Sequence, residues 1–209
     1  MIKKTIYLAV MFAAGPCFAA SPLGQLESGA DQQLPEVRAA SPAAAAKPAE
    51  LSGYEQAAAE FDAYRESKVP GIKNEDNLPF RLLHGAKTSE TVLMIHGLTD
   101  SPWYMRALGG ILYQQGYNVI SLLLPGHGTM PENLLTVTKE QWQQEVDRGL
   151  AMAAGLGEHI SLAGFSTGGA LSLDALRRHP GLSAKKLFLF SPALAINESN
   201  QQAVSLGCQ

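Results

Sequence analysis

The chain has 209 residues, 46% of them apolar, which is enough for one domain of ordinary size with its own hydrophobic core. Its formal net charge of −3 excludes the basic surface that nucleic-acid binding requires, and its two cysteines and five scattered histidines show no zinc-binding spacing. We therefore expect a folded protein that uses no nucleic acid, no metal and no cofactor.

The first 20 residues have the pattern of a secretory signal peptide. Two lysines precede an uncharged, largely apolar run at residues 6–14, and small residues follow. This run is too short to span a bilayer, so we expect cleavage after Ala19 or Ala20, no remaining membrane anchor, and an exported protein, periplasmic or secreted. A buried helix is the alternative for residues 1–20. Cys17 suggests a lipoprotein, but the large aliphatic residue expected three places before it is lacking.

Residues 21–50 are predicted to be a disordered linker, because they are rich in Ala, Pro, Ser and Gln and contain almost no large apolar side chains. Residues 51–79 are predicted to form an N-terminal helix followed by a loop. Apolar residues three or four positions apart define one face of this helix: Tyr54, Ala57, Ala58, Phe61 and Tyr64.

From residue 80 to residue 209 the chain alternates between short apolar runs and helical patterns. The runs are "TVLMIHG", "YNVISLLLPGHG", "HISLAGFS" and "KKLFLFSPA". Ser101 and Pro102 are predicted to start the first helix between them, and Gly116 to end it. Thr138 and Gln141 have the spacing of a capping box for the second helix. This alternation predicts an α/β fold, with a mostly parallel sheet and helices on both faces.

Ser166 lies where the third apolar run gives way to its helix, and it is flanked by Gly164 and Gly168. Ligands of parallel sheets gather at the carboxyl ends of the strands. A serine is presented there on a sharp, strained turn that leaves no room for side chains two positions away. The helix that begins near Thr167 would direct free N–H groups to the same place, which favours a developing oxyanion. The alternative is that the glycines only allow close packing of helix and strand.

A serine hydrolase needs a second oxyanion donor, and the backbone N–H of Leu98, in the loop after the first apolar run, would be placed to provide it. We expect the preceding His96 to hold this loop rather than to catalyse, and we expect the same of His127 in "LPGHG". Trp103 and Tyr104 are candidates for the walls of an acyl pocket, with core packing as the expected role of at least one of them.

Three motifs, "MIHGLTDSP", "LLLPGHGTMPENL" and "LAGFSTGG", resemble in order and spacing the α/β-hydrolase superfamily. The resemblance covers roughly residues 80–195 and is greatest to the carboxylesterase and monoacylglycerol-lipase-like branch, also called serine aminopeptidase-like. It implies that Ser166 is the nucleophile and that Thr167 and Leu98 provide the oxyanion-hole amides. It also implies that the substrate is a small ester or lipid-like molecule, hydrolysed through an acyl-enzyme on the serine.

The resemblance further implies a triad acid and a triad histidine, which follow the serine in the chain of this fold. No histidine follows His179, and Glu198 is the only acid after Asp174. Asp174 and His179 would lie on the surface or at the end of the helix that follows Ser166. We therefore expect a partial α/β-hydrolase fold, truncated before the C-terminal strands and cap, with little activity of its own. The "KLFLF" strand would then be an exposed sheet edge, prone to self-association.

Three other readings of the function stay open at this point. The chain could be a non-catalytic exported binding module that keeps the cleft, or one half of a hydrolase assembled from two polypeptides. It could also be an aminopeptidase or amidase, because amide hydrolysis uses the same kind of nucleophile and histidine.

Overall fold

The computed structural model describes residues 5–9, 52–182 and 184–194. The chain divides into two compact units, residues 1–11 with 51–209, and residues 12–50. The second unit, which contains the whole of the predicted linker, lies outside the described residues, as do Glu198 and both cysteines. In the described ranges, no helix is long and apolar enough to cross a membrane.

Six strands of the first unit form one mixed sheet. They are β1 (Thr5–Ala9), β2 (Phe80–Leu82), β3 (Thr88–Ile95), β4 (Asn118–Ser121), β5 (Gly157–Phe165) and β6 (Ala184–Phe190). Their order across the sheet is β1-β6-β5-β3-β4-β2. Only the pair of β2 and β4 is antiparallel among these strands, so the predicted mostly parallel sheet is confirmed. The sequence patterns did not indicate β1 or β2.

Four α-helices cover the sheet: α1 (Gly53–Ser67), α2 (Arg106–Gln114), α3 (Lys139–Leu156) and α4 (Thr167–Arg178). Successive side chains of a strand point to opposite faces, and β3 shows this directly. Leu93 and Ile95 belong to the core on the side of α1, α3 and α4, whereas Val92 and Met94 belong to the core on the side of α2. Both faces of the sheet are therefore buried, as predicted.

Helix α1 agrees with its prediction and adds a contact that sequence patterns do not show. Ser52 and Glu55 cap its start reciprocally, and Ala57, Phe61 and Tyr64 are buried. The Tyr64 hydroxyl accepts a hydrogen bond from the N–H of Leu123 at 3.0 Å and donates to its carbonyl at 3.3 Å. These two hydrogen bonds join α1 to the loop that follows β4.

Ser101 and Pro102 lie at the N-cap and first position of the helical segment, as predicted, but its first turn is a 3-10 turn and the Ser101 side chain does not cap it. Ser101 precedes a short 3-10 turn, Pro102–Met105, and α2 begins only after it. The Ser101 hydroxyl donates to Asn77 Oδ1 at 2.7 Å instead of capping a helix. The predicted end is confirmed, since Gly116 follows α2 with a φ of 88°. The capping box of Thr138 and Gln141 is also present at α3.

Strand β1 lies along the outer edge of β6. Its five residues pair in parallel with residues 186–190, so the edge that we expected to be exposed is occupied. The physical reason is that an apolar edge strand takes up another β-prone apolar segment, and "TIYLA" is one. The signal peptide and its cleavage stay predictions. So does self-association, which would concern a chain that has lost residues 1–20.

Candidate active site

Ser166 occupies the turn between β5 and α4 in a strained backbone conformation. Its φ is 49° and its ψ is −113°, a region that costs a non-glycine residue about 1–3 kcal/mol. Two backbone hydrogen bonds hold it there. The Ser166 N–H donates to the carbonyl of Phe190 at 2.9 Å, and the N–H of Ala193 donates to the Ser166 carbonyl at 3.0 Å. The last residue of β6 and the loop after it therefore hold the serine backbone on both sides, a contact that no sequence pattern indicates.

The glycines on either side of Ser166 are required by space. A Cβ on Gly164 would run into the backbone of Gly168. A Cβ on Gly168 would run into the carbonyl oxygens of Ile95 and His96 at the end of β3. The glycine pair thus permits both the sharp turn and the close packing of α4 on the sheet, so the two explanations weighed for it are compatible.

Thr167 is the first residue of α4. No side chain caps this helix start. The N–H groups of Gly169 and Ala170 donate to the Ser166 carbonyl at 3.0 and 3.2 Å, which leaves the N–H groups before them, that of Thr167 included, for a ligand at the positive end of the helix. Leu98 reaches the same edge of the sheet, because Ile95 of β3 pairs with Gly164 of β5. The structure therefore brings Ser166, Thr167 and Leu98 to one end of neighbouring strands.

His96 holds the loop that carries Leu98. The ring is fully buried, and its Nε2 accepts a hydrogen bond from the N–H of Leu124 at 3.1 Å. Nδ1 therefore carries the proton and donates to the carbonyl of Gly97 at 2.8 Å. In a trans peptide the Gly97 carbonyl and the Leu98 N–H point in opposite directions. The bond from His96 consequently turns the Leu98 N–H away from the buried ring.

His96 is unsuited to act as a base. Burial, and next the neighbouring His127, lower its pKa to about 3, against a smaller opposite effect of the hydrogen bond to Gly97. His127 is likewise engaged by backbone, with Nε2 2.7 Å from the Leu98 carbonyl and Nδ1 3.0 Å from the Pro125 carbonyl. The expectation that both histidines order loops is confirmed.

A cavity of about 380 Å³ flanks the serine turn. Its lining residues are Asp100, Tyr104, Met105, Leu108, Phe165 and Phe190. Phe165 and Asp100 approach Gly97 so closely that a Cβ there would lie 3.0 Å from the Phe165 ring and 2.5 Å from the Asp100 carboxylate. The expectation that Trp103 or Tyr104 packs in the core is wrong. Their exposed fractions are 49% and 67%, and the buried residues of that turn are Pro102 and Met105.

Asp174 and His179 lie on α4 or at its end, as expected. His179 is thirteen residues beyond Ser166, which is about 20 Å along a helix, and its Nε2 lies 2.8 Å from Asp147 Oδ1. Burial raises the pKa of Asp174, but hydrogen bonds from the side chains of Arg178, Gln143 and Arg177 outweigh this effect and lower the pKa to about 2. A cavity of about 530 Å³ at this far end of α4 is lined partly by Asp147 and His179.

The two remaining histidines are also remote from the serine. His84 stacks on Tyr113 and contacts its carbonyl at 3.1 Å. His159 lies near the start of β5, seven residues before Ser166, or about 23 Å along a strand. All five histidines of the chain fall in the described ranges, and none of them is placed as a base for Ser166.

The family model of serine aminopeptidases, S33, matches residues 86–207. The chain is 34% identical over 91 residues to the thermostable monoacylglycerol lipase of Bacillus sp. (strain H-257), covering 44% of this chain and 36% of that protein. It is 35% identical over 96 residues to a carboxylesterase of Bacillus subtilis (strain 168), covering 46% of this chain and 38% of that protein.

Two solved structures share the fold. One, described with the metagenome-derived lipolytic enzymes LipS and LipT, has a TM-score of 0.55 and 26% identity, over 65% of this chain and 51% of that one. The other, Est1E from Butyrivibrio proteoclasticus with bound ferulic acid, has a TM-score of 0.52 and 21% identity, over 59% of this chain and 52% of that one. The chain thus spans about half the length of these structures. With a family match over more than half of its residues, on a sheet of this topology, the chain belongs to the serine aminopeptidase S33 family of α/β-hydrolases, with carboxylesterase-like relatives.

Proposed function

We propose that the chain carries the nucleophile and the oxyanion hole of a carboxylic ester hydrolase. Ser166 is the nucleophile, and the N–H groups of Thr167 and Leu98 receive the oxyanion. The observation that carries this proposal is the positive φ of Ser166, at 49°, on a turn between a parallel strand and a helix. Strain of this kind persists where the surrounding structure enforces it, and it concentrates at reactive sites.

The mechanism follows from the position of these groups. The Ser166 hydroxyl loses its proton to a base as its oxygen attacks the ester carbonyl, and the carbonyl oxygen becomes an oxyanion beside the two N–H groups. Collapse of this tetrahedral intermediate expels the alcohol and leaves an acyl-enzyme, which water then cleaves to release the acid. One oxyanion donor contributes about 10²- to 10³-fold in rate.

The base has to be supplied from outside these 209 residues, because each of the five histidines is engaged or remote. We propose that further residues of the same polypeptide or of a second chain provide it, together with its orienting acid. Without them the serine is a neutral alcohol, and only about 10³- to 10⁴-fold acceleration over water remains from binding and the oxyanion hole. The 209-residue chain should therefore react with activated esters and turn over slowly.

The cavity beside the serine supports an apolar acyl group as part of the substrate. Its walls include Phe165, Phe190 and Leu108, and the Asp100 carboxylate stands at one side. An apolar pocket favours acyl chains or aromatic acids, and the carboxylate disfavours an anionic acyl group. The lipase and carboxylesterase names of the relatives support esters over peptides.

The test is a burst experiment with p-nitrophenyl butyrate on the 209-residue chain. We expect p-nitrophenol to be released slowly, because without its base the serine is a neutral alcohol, and to level off near one equivalent per chain, because the acyl-enzyme lacks the same base for deacylation. The burst should be lost in S166A and kept in S191A. Ser191 is the matched control, since among the described residues it is the other serine with a positive φ, at 43°. Equal bursts from all three proteins would refute the proposal.

Two alternatives give different results in the same experiment. A leucine p-nitroanilide that produces a burst dependent on Ser166 would favour the aminopeptidase, because its amine leaving group requires protonation. A chain that binds the ester without releasing p-nitrophenol would favour a non-catalytic binding module.

A further inference from the structure

The loop after β4 presents the ring of His127 from a tightly packed turn. The flanking residues Gly126 and Gly128 both have positive φ values, 83° and 72°. A Cβ on Gly126 would lie 2.7 Å from the side chain of Val137, and one on Gly128 would lie 2.6 Å from Ile72. Because neither glycine can be replaced without displacing a neighbour, the backbone that carries His127 is fixed by the fold.

The ring contacts of His127 assign its proton. Nε2 lies 2.7 Å from the carbonyl of Leu98, and Nδ1 lies 3.0 Å from the carbonyl of Pro125. A carbonyl oxygen only accepts, so a ring nitrogen that bonds to one must carry a proton, and the shorter distance assigns an N–H to Nε2, on the bond to Leu98. The Pro125 carbonyl also accepts a hydrogen bond from the indole N–H of Trp142 at 3.1 Å, so it keeps a donor when Nδ1 is bare.

Leu98 is therefore held on both sides of its Cα. The peptide plane before it is fixed by the bond from His96 to the Gly97 carbonyl, and the plane after it by the bond from His127 to the Leu98 carbonyl. The two imidazole rings touch edge to face, with centroids 4.8 Å apart. His96 is the ionisable side chain that packs against His127, and Trp142 faces it from α3 at 6.0 Å.

We propose that His127 is a positioning residue for the oxyanion donor, with its Nε2–H fixing the peptide after Leu98 so that the Leu98 N–H stays turned toward the edge of the sheet where Ser166 lies. This inference rests on the proposed function for its catalytic meaning, but the restraint itself concerns the loop alone. It makes the loop after β4 a functional part of the site, although that loop touches no reacting atom.

A pair of amide substitutions separates the two nitrogens of the ring. In H127Q the longer side chain places an amide N–H near the position of Nε2, whereas in H127N the shorter one places it near Nδ1. The glutamine variant should keep the bond to Leu98 and the asparagine variant should lose it. Thermal unfolding shows whether each variant folds. The two variants are then compared with each other and with the parent chain.

The first readout is amide hydrogen exchange of Asp100 in the 209-residue chain, measured by NMR. The Asp100 N–H donates to the Gly97 carbonyl at 3.3 Å, within the restrained loop. We expect exchange about fivefold faster in H127N, as loss of one hydrogen bond implies, and close to the parent rate in H127Q. Equal exchange rates in the two variants would overturn the proposal, and so would a ring spectrum that shows His127 Nε2 without a proton.

The second readout is the Ser166-dependent burst with p-nitrophenyl butyrate. A displaced oxyanion donor should reduce its rate about tenfold or more in H127N, with H127Q restoring most of it and with substrate binding unchanged. If exchange separates the variants but the burst rate does not, His127 orders the loop without serving the site, and the proposal is wrong. If the parent chain shows no burst at all, the proposed function fails, and the exchange experiment still decides whether His127 restrains Leu98.

Discussion

At the scale of single residues, the site depends on a serine with a strained backbone and on two glycines, because side chains at the glycine positions would collide with the backbone around the turn. The spacing of Gly164, Ser166 and Gly168 predicted the turn, because the steric requirement is local in the chain. The two bonds that hold the serine come from the carbonyl of Phe190 and the N–H of Ala193. They depend on the pairing of β5 with β6, and no sequence pattern indicates which carbonyl that pairing presents.

Replacing Gly168 by alanine should destabilise the fold, because the new methyl group meets the carbonyl oxygens of Ile95 and His96. Overpacking of this kind costs about 1–3 kcal/mol. Gly110→Ala is the matched control, since nothing lies within 4 Å of its added Cβ. In the middle of α2 it should stabilise by about 0.5–1 kcal/mol. Urea denaturation measures both, and a G168A chain as stable as G110A would contradict the steric argument.

His96 should make the fold sensitive to acid. Its pKa falls from 6.5 in the unfolded chain to about 3 in the folded one. Between those two values the unfolded chain binds a proton that the folded chain does not, so stability falls as the pH falls, by up to about 1.4 kcal/mol per pH unit. The stability that the neutral ring contributes is complete above pH 6.5 and is lost toward pH 3.

The measurement is the free energy of unfolding from pH 7.5 to pH 4.5 for the parent chain, H96N and H159N. We expect the difference between the parent and H96N to shrink as the pH falls. H159N, at an exposed histidine, is the control for replacing a histidine outside the core. A difference between the parent and H96N that stays constant with pH would show that His96 titrates alike in both states.

At the scale of elements, α1 shows what periodicity predicts and what it leaves out. The three- and four-residue spacing of Ala57, Phe61 and Tyr64 predicted the helix and its buried face correctly. It did not predict the two hydrogen bonds between the Tyr64 hydroxyl and Leu123, which join residues 59 positions apart. The same limit applies to Ser101, whose hydroxyl turns to Asn77 rather than to its own helix.

Tyr64→Phe should cost about 1–3 kcal/mol, because it leaves the buried N–H and carbonyl of Leu123 without their side-chain partner. Tyr54→Phe, on the same helix and only partly buried, should change stability by less than about 0.5 kcal/mol. Chemical denaturation of the two variants gives the comparison. If the two variants were equally stable, the hydrogen bonds of Tyr64 to Leu123 would not stabilise the loop after β4.

At the scale of the whole molecule, the order of apolar runs and helical patterns predicted the parallel part of the sheet and the burial of both its faces. This order did not predict the two strands at the edges of the sheet, β1 and β2. β2 has three residues and too little pattern of its own, and β1 comes from a segment that was assigned to a signal peptide. Pairing at a sheet edge depends on which segment is available in space, and this is not a local property of the sequence.

Removal of residues 1–20, as signal cleavage would do, should leave the outer edge of β6 unpaired. An unpaired apolar edge strand promotes association between chains. We expect a chain of residues 21–209 to elute in size-exclusion chromatography as dimers or larger species, in amounts that increase with concentration, and the chain of residues 1–209 to do so less. A strictly monomeric 21–209 chain at the same concentrations would show that the edge is protected in another way.

The central claim, that the fold presents Ser166 as a nucleophile, is tested most directly by a fluorophosphonate. The serine oxygen displaces fluoride from phosphorus, and peptide mapping locates the adduct. We expect one adduct per chain after prolonged incubation at mildly alkaline pH, located on Ser166, absent from S166A and kept in S191A. Labelling spread over other serines, equal labelling of S166A, or no adduct on a folded chain would contradict it.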